Sequence, residues 1–188
     1  MPNIFDAWME ILIKVENSVL FLYAENKSTE INLIKEAAKK NISKHRIIFG
    51  NKISAEKYLA RYRLCDLFLD TFPYNGGTTC SDALWMGLPV ITIMGQSFAS
   101  RYASSILHSI DLSELVAHNI DEYKNLAIQL AENSEILDEV KKKIQRNREN
   151  SLLFDTPKFT ENLEKAYTQI YKRWCSNLLA DNIYVGLN

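Results

Sequence analysis

This sequence lacks long apolar runs, a surplus of basic residues and a recognisable secretory leader. No apolar stretch approaches the roughly 18 residues that a membrane-spanning helix requires. The opening Met1-Pro2-Asn3-Ile4 is not a basic segment followed by an apolar one, so no secretory signal is expected. The 22 basic and 23 acidic residues nearly cancel, whereas nucleic-acid-binding domains usually carry a basic excess. We therefore expect neither a membrane nor a nucleic acid as a partner.

Cysteine and histidine are scarce as well. Cys65, Cys80 and Cys175 are far apart, and their odd number does not suggest a disulfide framework, so a reducing, cytoplasmic setting is expected. We interpret Cys65 and Cys80 as small buried residues rather than nucleophiles. The three histidines lack the spacing of a zinc site, and no Asp-x-Asp pair flanks the glycine-rich loop described below. We therefore expect neither a metal nor a cofactor.

Short apolar strands alternate with helical segments in the first two thirds of the chain. This alternation predicts βαβ units, and therefore an α/β fold with a Rossmann-like parallel sheet and flanking helices. The predicted strands cover residues 18–23, 46–49, 67–69 and 89–93. The predicted helices cover residues 4–15, 31–42, 55–63, 79–86 and 99–108, and Gly87 is expected at the C′ position after the fourth of them.

The pattern becomes purely helical after about residue 118. Asn119 followed by Glu122 predicts a capping box at the start of one helix. Thr156 and Pro157 predict another helix start, with Thr156 as N-cap and proline at the first helical position. We divide the chain into a lobe at 1–118, C-terminal helices packing on it at 119–175, and a tail at 176–188.

The chain begins almost directly in a helix, although a domain of this class usually begins with a strand. In the common strand order 3-2-1-4-5-6, the absent first strand would be a central one. The predicted strands would then lie on both sides of a gap. We therefore expect the chain to be incomplete at its N-terminus.

A polar, glycine-rich loop joins the third predicted strand to the following helix. Gly76 and Gly77 allow a ligand to approach the backbone closely, and Thr78 and Thr79 add hydroxyl groups beside the free amides of a helix start. These groups suit a diphosphate, and Asp82, one turn further on, suits ribose hydroxyls. The loop is neither a Walker A motif nor a Gly-x-Gly-x-x-Gly motif, so a dinucleotide cofactor is not favoured.

A structural interpretation of the same loop stays open. The two glycines can form an ordinary turn, Thr78 or Thr79 an ordinary N-cap, and Asp82 a favourable charge near the helix N-terminus. Glycine-rich turns between strand and helix also occur without any ligand.

The segment Leu59–Thr79, with its core Leu69-Asp70-Thr71-Phe72-Pro73-Tyr74-Asn75-Gly76-Gly77-Thr78-Thr79, resembles the catalytic region of the O-GlcNAc transferase/SPINDLY glycosyltransferase family. The similarity continues through residues 82–92 and 95–101 and extends over about 2–174. It implies the C-terminal half of a GT-B enzyme, in which tetratricopeptide repeats and an acceptor-binding lobe precede this part. The implied activity is transfer of GlcNAc or a related sugar to Ser or Thr of proteins, with UDP-GlcNAc or another nucleoside diphosphate sugar as donor.

The resemblance also assigns roles to individual residues. It places Gly77, Thr78 and Thr79 at the diphosphate and Asp82 at the ribose. The implied nucleotide-sugar site comprises Tyr58, Arg61, Asn75, Gly76, Gly77, Thr78, Thr79 and Asp82. The best-known O-GlcNAc transferases have His at the positions of Tyr58 and Gly77, so the base of the donor, UDP or GDP, stays open. Their Phe-Asn-x-x-x-Lys segment, whose Lys contacts the diphosphate, would precede Pro2, and no catalytic residue is assigned here.

Three features outside the loop have weaker interpretations. Arg101 follows Ser100 at a helix start and suits either a phosphate or structural hydrogen bonds. The basic run at 141–148 is interpreted as a solvated helix face. The aromatic stripe Phe159, Tyr167, Tyr171 and Trp174 is interpreted as packing, with partial exposure expected if a first lobe is absent.

The function therefore has three candidate descriptions. The first is the donor-binding lobe of a protein O-glycosyltransferase. The second is an inactive fragment of such an enzyme, and the third is a nucleotide- or phosphate-binding module without transfer chemistry.

Overall fold

The computed structural model describes residues 2–186, so Met1 and residues 187–188 lie outside the described part. Five strands within it are β1 (Leu20–Tyr23), β2 (Ile47–Gly50), β3 (Phe68–Leu69), β4 (Val90–Ile93) and β5 (Val116–Ala117). Five helices of the first part are α1 (Pro2–Lys14), α2 (Lys27–Lys39), α3 (Ala55–Arg61), α4 (Thr78–Trp85) and α5 (Tyr102–Ser109). They are followed by α6 (Ile120–Glu132), α7 (Ser134–Asn150) and α8 (Thr156–Cys175). The predicted alternation of strands and helices is confirmed.

The strands form two parallel sheets. β1 pairs with β2, and Leu20 lies opposite Ile47. β3, β4 and β5 form a second sheet with β4 in the middle. Within residues 2–186 no strand pairing joins the two sheets, which agrees with the prediction of strands on both sides of a gap. β5 was not predicted, because its two residues are too few to form a recognisable apolar run.

The main core surrounds β4, whose four residues are all buried. Burial of a strand on both faces is typical of a parallel sheet covered by helices. α1 contributes to two separate cores through opposite faces. Ile4 and Ile11 pack in the cluster around β4, while Met9 and Leu12 pack in the cluster around β1 and β2. The helical spacing of these residues therefore allows one helix to connect the two sheets.

The helices after residue 118 begin at residues whose side chains cap the helix N-terminus. Asn119 Oδ1 accepts from Glu122 N at 2.9 Å, and Glu122 Oε2 accepts from His118 N at 2.8 Å, so the predicted cap is confirmed. The prediction for α8 is wrong by one residue. Asp155 is its N-cap, with Oδ1 accepting from Lys158 N at 2.9 Å, and Thr156 is the first helical residue. The physical reason is that an aspartate carboxylate caps a helix at least as well as a threonine hydroxyl.

The aromatic stripe on α8 is exposed, so the expected exposure is confirmed, and its packing against a further lobe stays a prediction. Phe159 and Tyr167 are each 63% exposed, and Trp174 is 73% exposed. No residue of α8 is buried among those described. The predicted boundary between the lobe and the C-terminal helices at residue 118 stays a prediction. α6 and α7 share the core around β4 with the preceding elements through Tyr123, Ala127 and Ile144.

Candidate functional site

The glycine-rich loop, residues 70–77, connects the end of β3 to the start of α4. Since β3 and β4 run parallel, this loop lies at the carboxyl edge of the three-stranded sheet. Ligands of open α/β sheets bind at this edge. The loop after β4 is joined to it, because Asn75 N donates to Ala99 O at 2.9 Å.

Asp70 is the buried polar centre of the loop and is 2% exposed. Its Oδ1 accepts from the amides of Thr71 and Gly76, each at 2.8 Å. Its Oδ2 accepts from Thr92 Oγ1 at 2.6 Å. Burial raises the pKa of the Asp70 carboxyl to about 6, and these hydrogen bonds oppose that rise. One side chain thus holds both ends of the 71–76 segment.

The first turn of α4 presents free amides. The Gly76 amide is occupied by Asp70, and Ser81 N donates back to Gly77 O at 3.1 Å. Between them lie the amides of Gly77, Thr78 and Thr79 and that of the buried Cys80, and none of the four has a hydrogen-bond partner within residues 2–186. The N-cap is Gly77, which has no side chain to cap the helix. Three successive donors at a helix start therefore remain available to an anion.

The two glycines of the loop have different steric surroundings. A Cβ on Gly76 would lie 2.6 Å from Thr79 Oγ1 and 3.3 Å from Asp70 Oδ1. A Cβ on Gly77 would meet nothing within 4 Å. Gly76 is therefore required for the turn to close over Asp70. Gly77 faces open space.

Asn75 is 1% exposed and points into the protein. Its Nδ2 donates to Thr71 O at 2.9 Å and to Ile93 O at 3.4 Å. Among the described residues its Oδ1 has no hydrogen-bond partner. Its amide group therefore ties the loop to the end of β4.

The structure places Tyr58 and α3 beside the first turn of α4. The hydroxyls of Tyr58 and Tyr62 are 2.5 Å apart, and Tyr62 Oη donates to Thr79 O at 3.4 Å. Burial and the neighbouring Tyr58 raise the pKa of Tyr62. Tyr62 was not predicted as a site residue from the sequence. Its spacing of four residues from Tyr58 places both side chains on one helix face, and this spacing could have identified it. Asp82 lies half-buried in α4, one turn after the free amides.

Arg61 and Arg101 differ in their contacts. Arg61 Nη2 donates to Asn51 O at 2.8 Å, and its guanidinium lies 5.3 Å from the centre of the Phe21 ring. It therefore connects α3 to the end of β1 and β2. Arg101 is exposed at the start of α5, in the loop that follows β4.

Other polar features lie away from this edge. The described residues contain no group of three or more His, Cys, Asp or Glu that could hold a metal ion. Burial raises the pKa of the Cys80 and Cys65 thiols, which suits buried packing residues better than nucleophiles. Surface grooves of 440 and 550 Å³ lie along α7 at the opposite end of α4 from the loop. None of the helices described between residues 2 and 186 is both long and apolar enough to cross a membrane.

The basic run on α7 is only partly solvated. Lys143 pairs with Glu114 at 2.8 Å, and Lys141 lies 3.4 Å from Asp66. Arg148 donates to Trp85 O at 2.7 Å and packs over the ring of the same residue. Several of these cations therefore attach α7 to the lobe, whereas Lys142 and Arg146 remain exposed.

Parallel strands flanked by helices, with this loop at their carboxyl edge, define a Rossmann-like lobe. The model of glycosyl transferase family 41 matches residues 1–163, and the chain belongs to that family. It is 34% identical over 182 residues to a UDP-N-acetylglucosamine–peptide N-acetylglucosaminyltransferase of Caenorhabditis elegans, covering 97% of this chain and 16% of the relative. It is 40% identical over 118 residues to a probable UDP-N-acetylglucosamine–peptide N-acetylglucosaminyltransferase SPINDLY of Petunia hybrida, covering 63% of this chain and 13% of the relative.

A solved structure gives the same result for the fold. A mutant of the Thermobaculum terrenum O-GlcNAc transferase superposes with a TM-score of 0.85 at 30% identity. The match covers 92% of this chain and 34% of that one. This chain therefore spans a small part of the relatives that it matches.

Proposed function

We propose that this chain is the donor-binding lobe of a protein O-glycosyltransferase and that it binds a nucleoside diphosphate sugar. The observation that carries the proposal is the set of free amides at Gly77, Thr78 and Thr79, beside two exposed threonine hydroxyls. A helix N-terminus with free amides favours a bound phosphate group. Membership of glycosyl transferase family 41 supports a sugar nucleotide as the source of that phosphate.

The remaining site residues have proposed roles around this anion. Gly76 keeps the backbone compact, and Asn75 holds the loop on β4. Asp82 is proposed to accept from the ribose hydroxyls, because it lies one turn beyond the free amides. Tyr58 and Arg61, on the adjacent α3, are proposed to face the nucleoside. In catalysis the free amides would stabilise the negative charge that develops on the leaving diphosphate.

We propose that the acceptor is a Ser or Thr hydroxyl of a protein and that residues outside this chain bind it. The chain spans 16% of the Caenorhabditis relative, whose name specifies a peptide acceptor and UDP-N-acetylglucosamine. Tetratricopeptide repeats in a longer protein remain part of this proposal. The cytoplasm is the proposed location, in keeping with free cysteines at 65, 80 and 175.

Isothermal titration of the purified chain with UDP, GDP, UMP and GMP tests donor binding. We expect one diphosphate to bind at least tenfold more tightly than its monophosphate, because the second phosphate reaches the free amides. Thr79→Val should weaken diphosphate binding by roughly tenfold, the usual effect of losing one hydrogen bond to a charged group. Thr160→Val is the matched control, because Thr160 lies on α8 and donates only to Thr156 O. Equal affinity for monophosphates and diphosphates would overturn the proposal.

A second candidate is nucleotide binding without transfer by this chain alone. It is favoured by the small share of the relatives that the chain covers. Release of UDP or GDP from the corresponding sugar nucleotide, measured with an acceptor peptide, separates the two. Binding without turnover supports the second candidate, and turnover by the isolated chain contradicts it.

A further inference from the structure

Asp70 is a buried carboxylate that has no assigned role in the donor site proposed above. All its polar atoms are engaged within the protein: Oδ1 with the amides of Thr71 and Gly76, and Oδ2 with the Thr92 hydroxyl. Its backbone carbonyl accepts from Tyr123 Oη at 2.9 Å. At 2% exposure it has no free face for a ligand. Any contribution of Asp70 to binding must therefore act through other residues.

The residues that Asp70 joins come from three parts of the fold. Thr71 and Gly76 are the two ends of the loop, Thr92 lies in β4, and Tyr123 lies in α6. Oδ1 accepts from both loop ends, so it fixes how far apart they are and which way the Gly76 amide points. The bond from Thr92 holds the carboxylate plane against the middle strand.

This arrangement separates the bonded Gly76 amide from the free amides that follow it. The Gly76 amide turns inward to Oδ1, and the next three amides are left without partners at the start of α4. Donors held in place before the ligand arrives bind an anion more strongly, because no free energy is spent on ordering them. Gly76 has no Cβ, and this lets its amide come close to Asp70, since a Cβ there would lie 3.3 Å from Asp70 Oδ1.

We propose that Asp70 is a positioning residue of the donor site, which orients the Gly76–Thr79 turn so that the amides of Gly77, Thr78 and Thr79 face the diphosphate. This inference rests on the proposed function and adds to it a residue that never touches the donor. Burial raises the pKa of Asp70, while the hydrogen bonds from Thr92, Gly76 and Thr71 favour its ionised form. A neutral acceptor such as asparagine would hold the loop less firmly, because hydrogen bonds to a charged acceptor are stronger.

The variants Asp70→Asn and Asp70→Ala test the proposal through the dissociation constant for whichever diphosphate the wild type binds. Asn keeps one oxygen for the Gly76 amide, so about a threefold weakening is expected. Ala removes the acceptor, so at least a tenfold weakening is expected. Ile144→Ala is the control: Ile144 is fully buried on α7, outside the loop, and its replacement should lower the melting temperature without changing affinity. Binding by folded Asp70→Ala within twofold of wild type would overturn the inference, as would an equal loss of affinity in Ile144→Ala.

A measurement on the wild-type chain needs no variant and no ligand. The amide resonances of Thr71 and Gly76 should titrate together with the Asp70 carboxyl in NMR spectra, and those of Gly77, Thr78 and Thr79 should exchange with solvent faster than that of Gly76. A Gly76 amide that neither titrates nor is protected contradicts the role of Asp70, whatever the chain binds. Failure of every nucleotide to bind, with the Gly76 titration intact, would instead contradict the proposed function.

Discussion

The phenol of Tyr123 donates a 2.9 Å hydrogen bond to the backbone carbonyl of Asp70, 53 positions earlier in the chain. The same hydroxyl accepts from Trp8 Nε1 at 3.0 Å. Tyr123 is fully buried. Through one oxygen, helices α1 and α6 are thus connected to the residue that begins the candidate site.

Replacing Tyr123 with Phe should destabilise the chain by about 1–3 kcal/mol, because it leaves a buried carbonyl and an indole N–H without partners. Urea unfolding followed by circular dichroism measures this change. Tyr167→Phe on the exposed surface of α8 is the matched control and should change stability by less than about 0.5 kcal/mol. Equal stabilities of the two variants would show that the Tyr123 hydroxyl contributes nothing.

The two adjacent glycines of the loop should respond very differently to alanine. Gly76→Ala places a methyl group 2.6 Å from Thr79 Oγ1 and 3.3 Å from Asp70 Oδ1, so both side chains should have to shift. We expect a loss of about 1–3 kcal/mol in stability, as for other overpacked sites, together with weaker diphosphate binding.

Gly77→Ala is the control, because its methyl group would meet nothing within 4 Å. We expect it to cost less than about 1 kcal/mol, the usual range for alanine at an N-cap. Thermal unfolding of both variants checks the pair. The steric account fails if Gly77→Ala is the more damaging of the two.

Asp70 should make stability depend on pH in the acidic range. Its pKa is raised from 3.8 to about 6 by burial, so the folded state binds a proton more tightly than the unfolded state. The contribution of Asp70 to the free energy of unfolding is therefore fully present below about pH 4 and is lost as the pH rises through about 6. The nearest titratable groups, Cys80 on α4 and Tyr123 on α6, both have pKa values raised by burial and stay neutral throughout this range.

The measurement is the difference in unfolding free energy between wild type and Asp70→Asn at pH 4.5 and at pH 7.5. We expect the wild type to lose about 2 kcal/mol relative to the variant over this interval, because only the wild type releases the proton. A difference that is independent of pH would mean that Asp70 titrates normally.

The exposed aromatic stripe of α8 should contribute little to the stability of this chain. Trp174→Ser removes a side chain that is 73% exposed, so the free energy of unfolding should change by less than about 0.5 kcal/mol. Ile144→Ala, at a fully buried position on α7, should cost about 2–5 kcal/mol by leaving a cavity. Urea unfolding compares the two. A large loss in Trp174→Ser would show that α8 is packed in solution.

Several parts of the fold followed from local patterns. The run at 89–93 predicted the fourth strand, and the structure places it in the middle of its sheet with all four residues buried. Gly87 was predicted at C′ and has a φ of 83°, a conformation that glycine adopts readily. The missed strand at Val116–Ala117 and the misplaced cap of α8 are both differences of one or two residues, and local patterns are weakest at that scale.

The sequence by itself determined the class of fold, the position of the glycine-rich loop and the family resemblance, because these depend on periodicity and on residues that are neighbours in the chain. Tertiary structure alone decided that Asp70 takes the Gly76 amide, since that depends on Asp70 meeting Gly76, Thr92 and Tyr123. It also decided that Asn75 faces inward and that the stripe of α8 lies in solvent. The physical reason is that burial and long-range hydrogen bonds depend on which segments come into contact in the folded chain, and the local spacing of residues does not determine those contacts.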